Sequence, residues 1–216
     1  MICCPISKGS RPSNSLTAER EKNYWVVGSD EVSLRDMLTF CWQIANGMSY
    51  LSIKNIVHRD LAARNILVCE GKRAKVADFG LSRFSSENLT YQGSKGKLLP
   101  LKWMAIESLK TLTFSAMSDV WSYGIVLSEI CTLGHHPYPG IDNQDIIHKI
   151  DSGYRMPRPL LCSPEIYLIM LKCWDGNPEK RPTFKKISED LSTILTEMNG
   201  QDYVPFADDF YSYCRQ

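Results

Sequence analysis

The stretch His58-Arg59-Asp60-Leu61-Ala62-Ala63-Arg64-Asn65 decides the reading of this sequence, together with Asp78-Phe79-Gly80 downstream. Asp60 is an acid that can orient a hydroxyl and take its proton. Asn65 lies five residues on and Asp78 eighteen residues on, and both offer hard oxygens of the kind that suit Mg²⁺. Between them, Ile66-Leu67-Val68 and Ala74-Lys75-Val76-Ala77 are two short strand candidates around the turn Glu70-Gly71-Lys72. Paired as a hairpin, their outer ends return Asn65 and Asp78 to one place beside Asp60. A base next to two metal ligands suits phosphoryl transfer, which runs on positioning and charge neutralisation more than on covalent help. Alone, an Asp in a loop is a turn former; the joint spacing carries the reading.

Upstream, apolar residues recur at Leu34, Met37, Leu38, Cys41, Ile44, Ala45, Met48 and Leu51. Steps of three and four draw one stripe down a helix of about five turns, and Ser33 with Asp36 predicts a capping box at its start. Downstream, Asp78 to about Lys102 is rich in Ser, Gly and Lys and reads as a long loop. Four helices are predicted after it. Residues 115–133 are apolar nearly all round and should be buried. Residues 143–152 are short and amphipathic. Residues 164–174 begin Ser163-Pro164-Glu165, with Pro in the first turn, and 184–198 repeat the apolar stripe.

The chain has 216 residues, 44% of them apolar and 23% charged, which is ordinary for a protein with a sizeable core. A formal net charge of +1 gives no electrostatic case for nucleic acid or an anionic membrane. The eight cysteines form no CxxC pair, which argues against zinc, and several sit among apolar residues as reduced core side chains. Cys3-Cys4 reads as two thiols in a loose terminus rather than an acylation site. No run of 18 apolar residues occurs and the N-terminus lacks a signal-peptide pattern, so the expected location of the polypeptide as it stands is cytoplasmic.

The sequence around Asp60, its spacing to Asp78-Phe79-Gly80 and several patches downstream resemble the protein kinases over about residues 33–199. Ala105-Ile106-Glu107 stands where that family carries A-P-E, with Ile in place of Pro. Ser118-Asp119-Val120-Trp121-Ser122-Tyr123-Gly124 resembles its D-x-W-x-x-G helix, and Arg181 matches the partner of the A-P-E glutamate, here Glu107. The resemblance implies a mainly α-helical C-terminal lobe with a small β-hairpin at the cleft. It implies Asp60 as catalytic base, Asn65 and Asp78 as Mg²⁺ ligands, Leu67 beneath the adenine of ATP, and His58 and Phe79 in a packed column, with Gly80 closing the regulatory tripeptide. Glu107, Asp119 and Arg181 are expected to be structural. Arg64, four residues after the base, replaces the Lys of serine/threonine kinases and gives the tyrosine-kinase pattern; its guanidinium can approach both Asp60 and a substrate phenol. Leu99-Pro100-Leu101-Lys102-Trp103-Met104 resembles the tyrosine-kinase docking loop, with Pro100, Lys102 and Trp103 as substrate contacts on an apolar platform.

Within receptor tyrosine kinases, residues 38–51, 70–83 and 101–109 look most like the Ret family, with fibroblast and vascular endothelial growth factor receptors as near alternatives. Tyr91 is the activation-loop tyrosine; phosphate there would add about −1.5 to −2 charges, with Arg59 as receiver helped by Arg83, Lys95 or Lys97. Tyr203, Tyr211 and Tyr213, near Asp202, Asp208 and Asp209, are candidate docking sites for phosphotyrosine-reading adaptors, or aromatic patches on the base of the lobe. The expected division is a flexible linker at 1–32, the end of a kinase insert; the lobe at 33–199; and a tyrosine-containing tail at 200–216. The implied parent is a single-pass plasma-membrane receptor that dimerises and phosphorylates protein tyrosines.

The family's N-terminal lobe takes at least about 60 residues, and 32 precede Ser33. No G-x-G-x-x-G and no V-A-I-K occurs, so this lobe is expected to be absent. A roof burying about 150 Å² of apolar surface with the nucleotide is worth ~4 kcal/mol, close to a thousandfold in affinity. The 216 residues alone are therefore expected to be inactive. The other reading is a genuine short product that binds partners, or acts as a decoy, without catalysis; the intact Asp60, Asn65 and Asp78 favour the enzyme.

Overall fold

The computed structural model describes residues 25–27, 30–84 and 99–198. Tyr91, Lys95 and Lys97, the tail tyrosines Tyr203, Tyr211 and Tyr213, and Cys3-Cys4 lie outside them.

The described part opens with a hairpin of β1 (Trp25–Val27) and β2 (Asp30–Val32), paired from Trp25↔Val32 to Val27↔Asp30. It falls inside the segment expected as linker. Helix α1 (Leu34–Ile53) comes next. Ser33 accepts the Asp36 N–H while the Asp36 carboxylate takes the Ser33 N–H at 2.8 Å, a reciprocal cap worth ~1 kcal/mol. The helix buries Met37, Leu38, Cys41, Ile44, Ala45, Met48 and Leu51, the stripe expected from their spacing.

The strands β4 (Ile66–Cys69) and β5 (Arg73–Val76) form the predicted hairpin, in register from Ile66↔Val76 to Cys69↔Arg73. Gln43 of α1 accepts the Ala74 N–H at 2.6 Å and fixes the hairpin to the helix. A third small sheet pairs β3 (Ile56–Val57) with β6 (Arg83–Phe84), which flank the stretch at 58–65 and the hairpin. Thus the segment after Asp78, expected as one long loop, is partly ordered: it holds β6 and a 3₁₀ turn at Leu101–Trp103.

Helix α2 (Ile106–Thr111) precedes α3 (Ala116–Cys131), α4 (Ile146–Asp151), α5 (Pro164–Cys173) and α6 (Phe184–Glu197). The short α2 is an addition to the four helices expected downstream. Helix α3 is the spindle of the molecule, buried from Ser118 to Cys131. At Gly124 the neighbouring helix comes so close that a Cβ would stand 2.5 Å from Trp174 Nε1 and 2.9 Å from Cys173 Cβ. Tyr123 ties α3 to α1 by donating to the Cys41 carbonyl at 2.8 Å, and Ser188 of α6 bonds Asn46 of α1 at 2.6 Å. The described part is thus mostly helical with small two-stranded sheets. Among the described residues no helix is long and apolar enough to cross a membrane.

Candidate active site

The stretch at 58–65 runs between β3 and β4, and its shape is imposed by α3. Asp119, buried in α3, accepts the His58 N–H at 2.7 Å and the Arg59 N–H at 2.9 Å. Those bonds hold Arg59 in the left-handed region at φ 72°, which costs a residue with a Cβ. Burial pushes the Asp119 carboxyl up to about 7, against the pull of the two amides and the Arg59 charge. Arg59 itself donates to the Leu81 carbonyl at 3.4 Å and lies 4.3 Å over the Phe114 ring.

Asp60 sits at the next turn. The Asn65 amide nitrogen donates to the Asp60 carbonyl at 2.7 Å and to its carboxylate at 3.0 Å, and Arg64 forms an ion pair with the other carboxylate oxygen. Asn65 thereby commits its N–H groups to Asp60, which leaves its carbonyl oxygen as the donor for a cation. The hairpin closes the arrangement: the Ala77 N–H reaches the Asn65 backbone carbonyl at 2.9 Å, which leaves the side-chain oxygen untouched and sets Asp78 beside Asn65. Asp78 is exposed, has φ 60° and accepts the Gly80 N–H at 3.2 Å. One carboxylate and one amide oxygen fit Mg²⁺, which takes few protein ligands and keeps sites for water and phosphate.

His58 is buried, bonds the Ala77 carbonyl at 3.1 Å and packs against Phe79 with ring centroids 5.3 Å apart. Burial lowers its pKa, although that bond and the charges of Asp60 and Asp78 pull upward. Leu67 and Phe79 stand out as exposed apolar side chains, at 41% and 48%.

The stretch at 99–104 differs from the docking platform expected there. Trp103 is only 9% exposed and Met104 is in the core, so they offer no open platform; Leu99 and half-buried Pro100 face outward. A buried indole needs a partner for its N–H, and Trp103 Nε1 donates to Glu129 at 2.9 Å. The same Glu129 oxygen accepts the Ala63 N–H at 2.9 Å. Arg64 lies over the Trp103 ring at 4.6 Å, and His136 meets that ring edge-on at 5.0 Å. Lys102 donates to the Tyr138 carbonyl at 3.3 Å. Burial raises the Glu129 pKa, against its bonds to Trp103 and Ala63 and the Arg64 charge. The sequence reading missed Glu129, although a second carboxylate in a helix that is otherwise apolar nearly all round was the available signal. Farther out, Arg181 grips Glu107 with two bonds of 2.7 and 2.8 Å.

The family described as protein tyrosine and serine/threonine kinase matches residues 11–191. The chain is 45% identical over 178 residues to a fibroblast growth factor receptor of Hydra vulgaris, covering 82% of this chain and 22% of the receptor. It is 45% identical over 183 residues to human platelet-derived growth factor receptor alpha, covering 84% and 17%. It is 47% identical over 171 residues to the tyrosine-protein kinase Srms of Mus musculus, covering 78% and 34%. The chain thus spans about a sixth to a third of the length of these relatives.

Proposed function

The chain belongs to the protein tyrosine kinase family, and from that premise we propose that it is the part of a receptor-type kinase domain that carries the base, the metal ligands and the substrate-docking loop. The observation that carries the reading is the constellation at Asp60: Asn65 and Arg64 both bonded to it, with Asp78 drawn alongside through the Ala77–Asn65 bond. In this reading Asp60 orients a tyrosine hydroxyl and accepts its proton. Arg64, held between Asp60 and the Trp103 face, points the carboxylate and meets the phenol. Asn65 and Asp78 hold Mg²⁺, which supplies charge neutralisation at the phosphates of ATP. Arg59 receives a phosphate on Tyr91, and Tyr203, Tyr211 and Tyr213 serve adaptors.

The finer placement, a C-terminal lobe at residues 33–199 of a Ret-like, membrane-anchored and dimerising receptor, is part of the same proposal. It rests on residues 38–51, 70–83 and 101–109. The exposure of Leu67 and Phe79 supports a further point: among the described residues nothing covers the adenine floor, and the 216 residues alone are expected to transfer no phosphate. The alternative is a short product that binds partners without catalysis.

The test starts with long-read sequencing of transcripts across the Met1 codon. A frame running upstream into a glycine-rich loop and a strand lysine gives an extended product; it should phosphorylate tyrosine with ATP and Mg²⁺, and Asp60→Asn should abolish this. Robust phosphotyrosine formation by residues 1–216 alone, lost in D60N, overturns the inactivity of the short chain. A capped transcript beginning just before Met1 favours the binding protein.

A further inference from the structure

Away from Asp60, helix α5 has two unlike faces. Ile166, Ile169, Met170 and Cys173 are buried in the core. Tyr167 pins one flank by donating to the Met156 carbonyl at 2.9 Å. The other side carries Pro164, Leu168 and Leu171, at steps of four and three, and all three are exposed. Leu168 is 55% and Leu171 36% open to solvent. One exposed leucine is ordinary on a protein surface. Two of them a turn apart, continued by a proline, form an apolar stripe along one helix, and such a stripe is what another helix face covers.

A charged side chain stands beside each end of the stripe, Glu165 in the first turn of α5 and Lys172 in the last, both exposed. Seven residues separate them, so they lie two turns and about 10 Å apart on nearly one line of the helix. Neither forms an ion pair with a described residue. Hydrogen bonds from its own backbone and from Ser163, with the Arg158 charge, lower the Glu165 pKa. Leu168 sits midway between the two charges, and that symmetry makes the face complementary to itself. A second α5 laid antiparallel, about a two-fold axis at Leu168, sets leucine on leucine. It also sets Glu165 of each copy opposite Lys172 of the other. A parallel second copy would set Glu165 against Glu165 and Lys172 against Lys172, and like charges so placed are destabilising. The pattern thus selects one orientation, and it is the closed two-fold arrangement by which a chain most often meets itself.

We propose that the exposed face of α5 binds a second copy of this chain, as an antiparallel helix pair about a two-fold axis at Leu168. The face uses none of the residues around Asp60, so the proposal stands or falls apart from the phosphotransfer and receptor readings. Its small size places the dimer among weak, transient ones. Sedimentation velocity of the 216-residue chain from about 10 to 500 μM should show reversible monomer–dimer exchange. Leu168→Lys sets two ammonium groups against each other at the axis. The position is exposed, so the fold should hold while the dimer weakens about tenfold or more. Glu165→Lys and Lys172→Glu should each weaken self-association about tenfold. A 1:1 mixture of those two variants makes every cross-copy pair opposite in charge again, and it should recover the parent affinity to within about twofold. A loss of folding in either variant cannot produce that recovery. Three results each overturn the proposal. The first is a monomer throughout the range, which leaves the face to a different partner. The second is a dimer indifferent to Leu168→Lys, which moves the contact to another surface such as that of Leu67 and Phe79. The third is a mixture that associates no more tightly than its two components.

Discussion

Glu129 and Trp103 are joined inside the protein: one carboxylate oxygen accepts the indole N–H at 2.9 Å and the Ala63 N–H at the same distance. Trp103 in turn supports Arg64, and Arg64 pairs with Asp60. The proposed base is therefore tied to α3 through three side chains. Glu129→Ala strands two buried donors at once and should cost about 2–4 kcal/mol. Glu129→Gln keeps an acceptor and should cost less. Urea unfolding midpoints measure both, and the Trp103 indole N–H resonance should move in each. Equal stability of the two variants would sink the account.

Asp119 makes stability depend on pH. Its folded pKa, about 7, lies above the ordinary carboxylate value. The folded state therefore keeps a proton that the unfolded chain has already released. This contribution is fully present below the unfolded value near 4 and is lost as pH rises through about 7, at about 1.4 kcal/mol per pH unit. Urea melts from pH 4 to 7 should show Asp119→Asn with a flatter fall in stability than the parent chain. Parallel slopes would refute it.

Arg181 is wholly buried at its side chain and holds Glu107, the Met117 carbonyl at 2.8 Å and the Asp175 carbonyl at 2.9 Å. Arg181→Met strands the Glu107 carboxylate and should cost about 3–5 kcal/mol, toward the lower figure because Glu107 is 19% exposed. The pair Glu107→Leu with Arg181→Met should be the milder change. A double-mutant cycle on urea midpoints tests the coupling, and simple additivity would argue against it.

Gly124 has no room for a methyl group. Gly124→Ala should cost about 1–3 kcal/mol, because Trp174 and Cys173 must shift. Trp174→Phe removes the nearest atom, Nε1, and should soften the effect of the alanine. Thermal melts of the two single variants and the double variant decide it.

Length and period govern how much of the fold was legible in the sequence. Helix α1 and the helices at 116–131, 164–173 and 184–197 have enough turns to show a stripe. The hairpin about Glu70-Gly71-Lys72 had its turn residues to mark it. Strands β3 and β6 have two residues each, too few for any period, and they pair across 26 residues of sequence. Helix α2 is six residues long and has no side-chain cap at its start. The inward turn of Trp103 depends on Glu129, 26 positions away, and local pattern carries no such information. The cluster around Asp60 was more legible because its members lie within twenty residues of one another.

Helix α3 also sets an order of events. Asp119, Ser122 and Glu129 bond His58, Arg59, Ala63 and Trp103, across separations of 61, 60, 66, 19 and 26 residues. Loop closures of that span come after local helix formation, and they need α3 already packed. The stretch at 58–65 is thus a late guest in folding. The His58, Arg59 and Ala63 amides, bonded to Asp119 and Glu129, should exchange faster than those inside α3, because the stretch can open while the spindle stays packed.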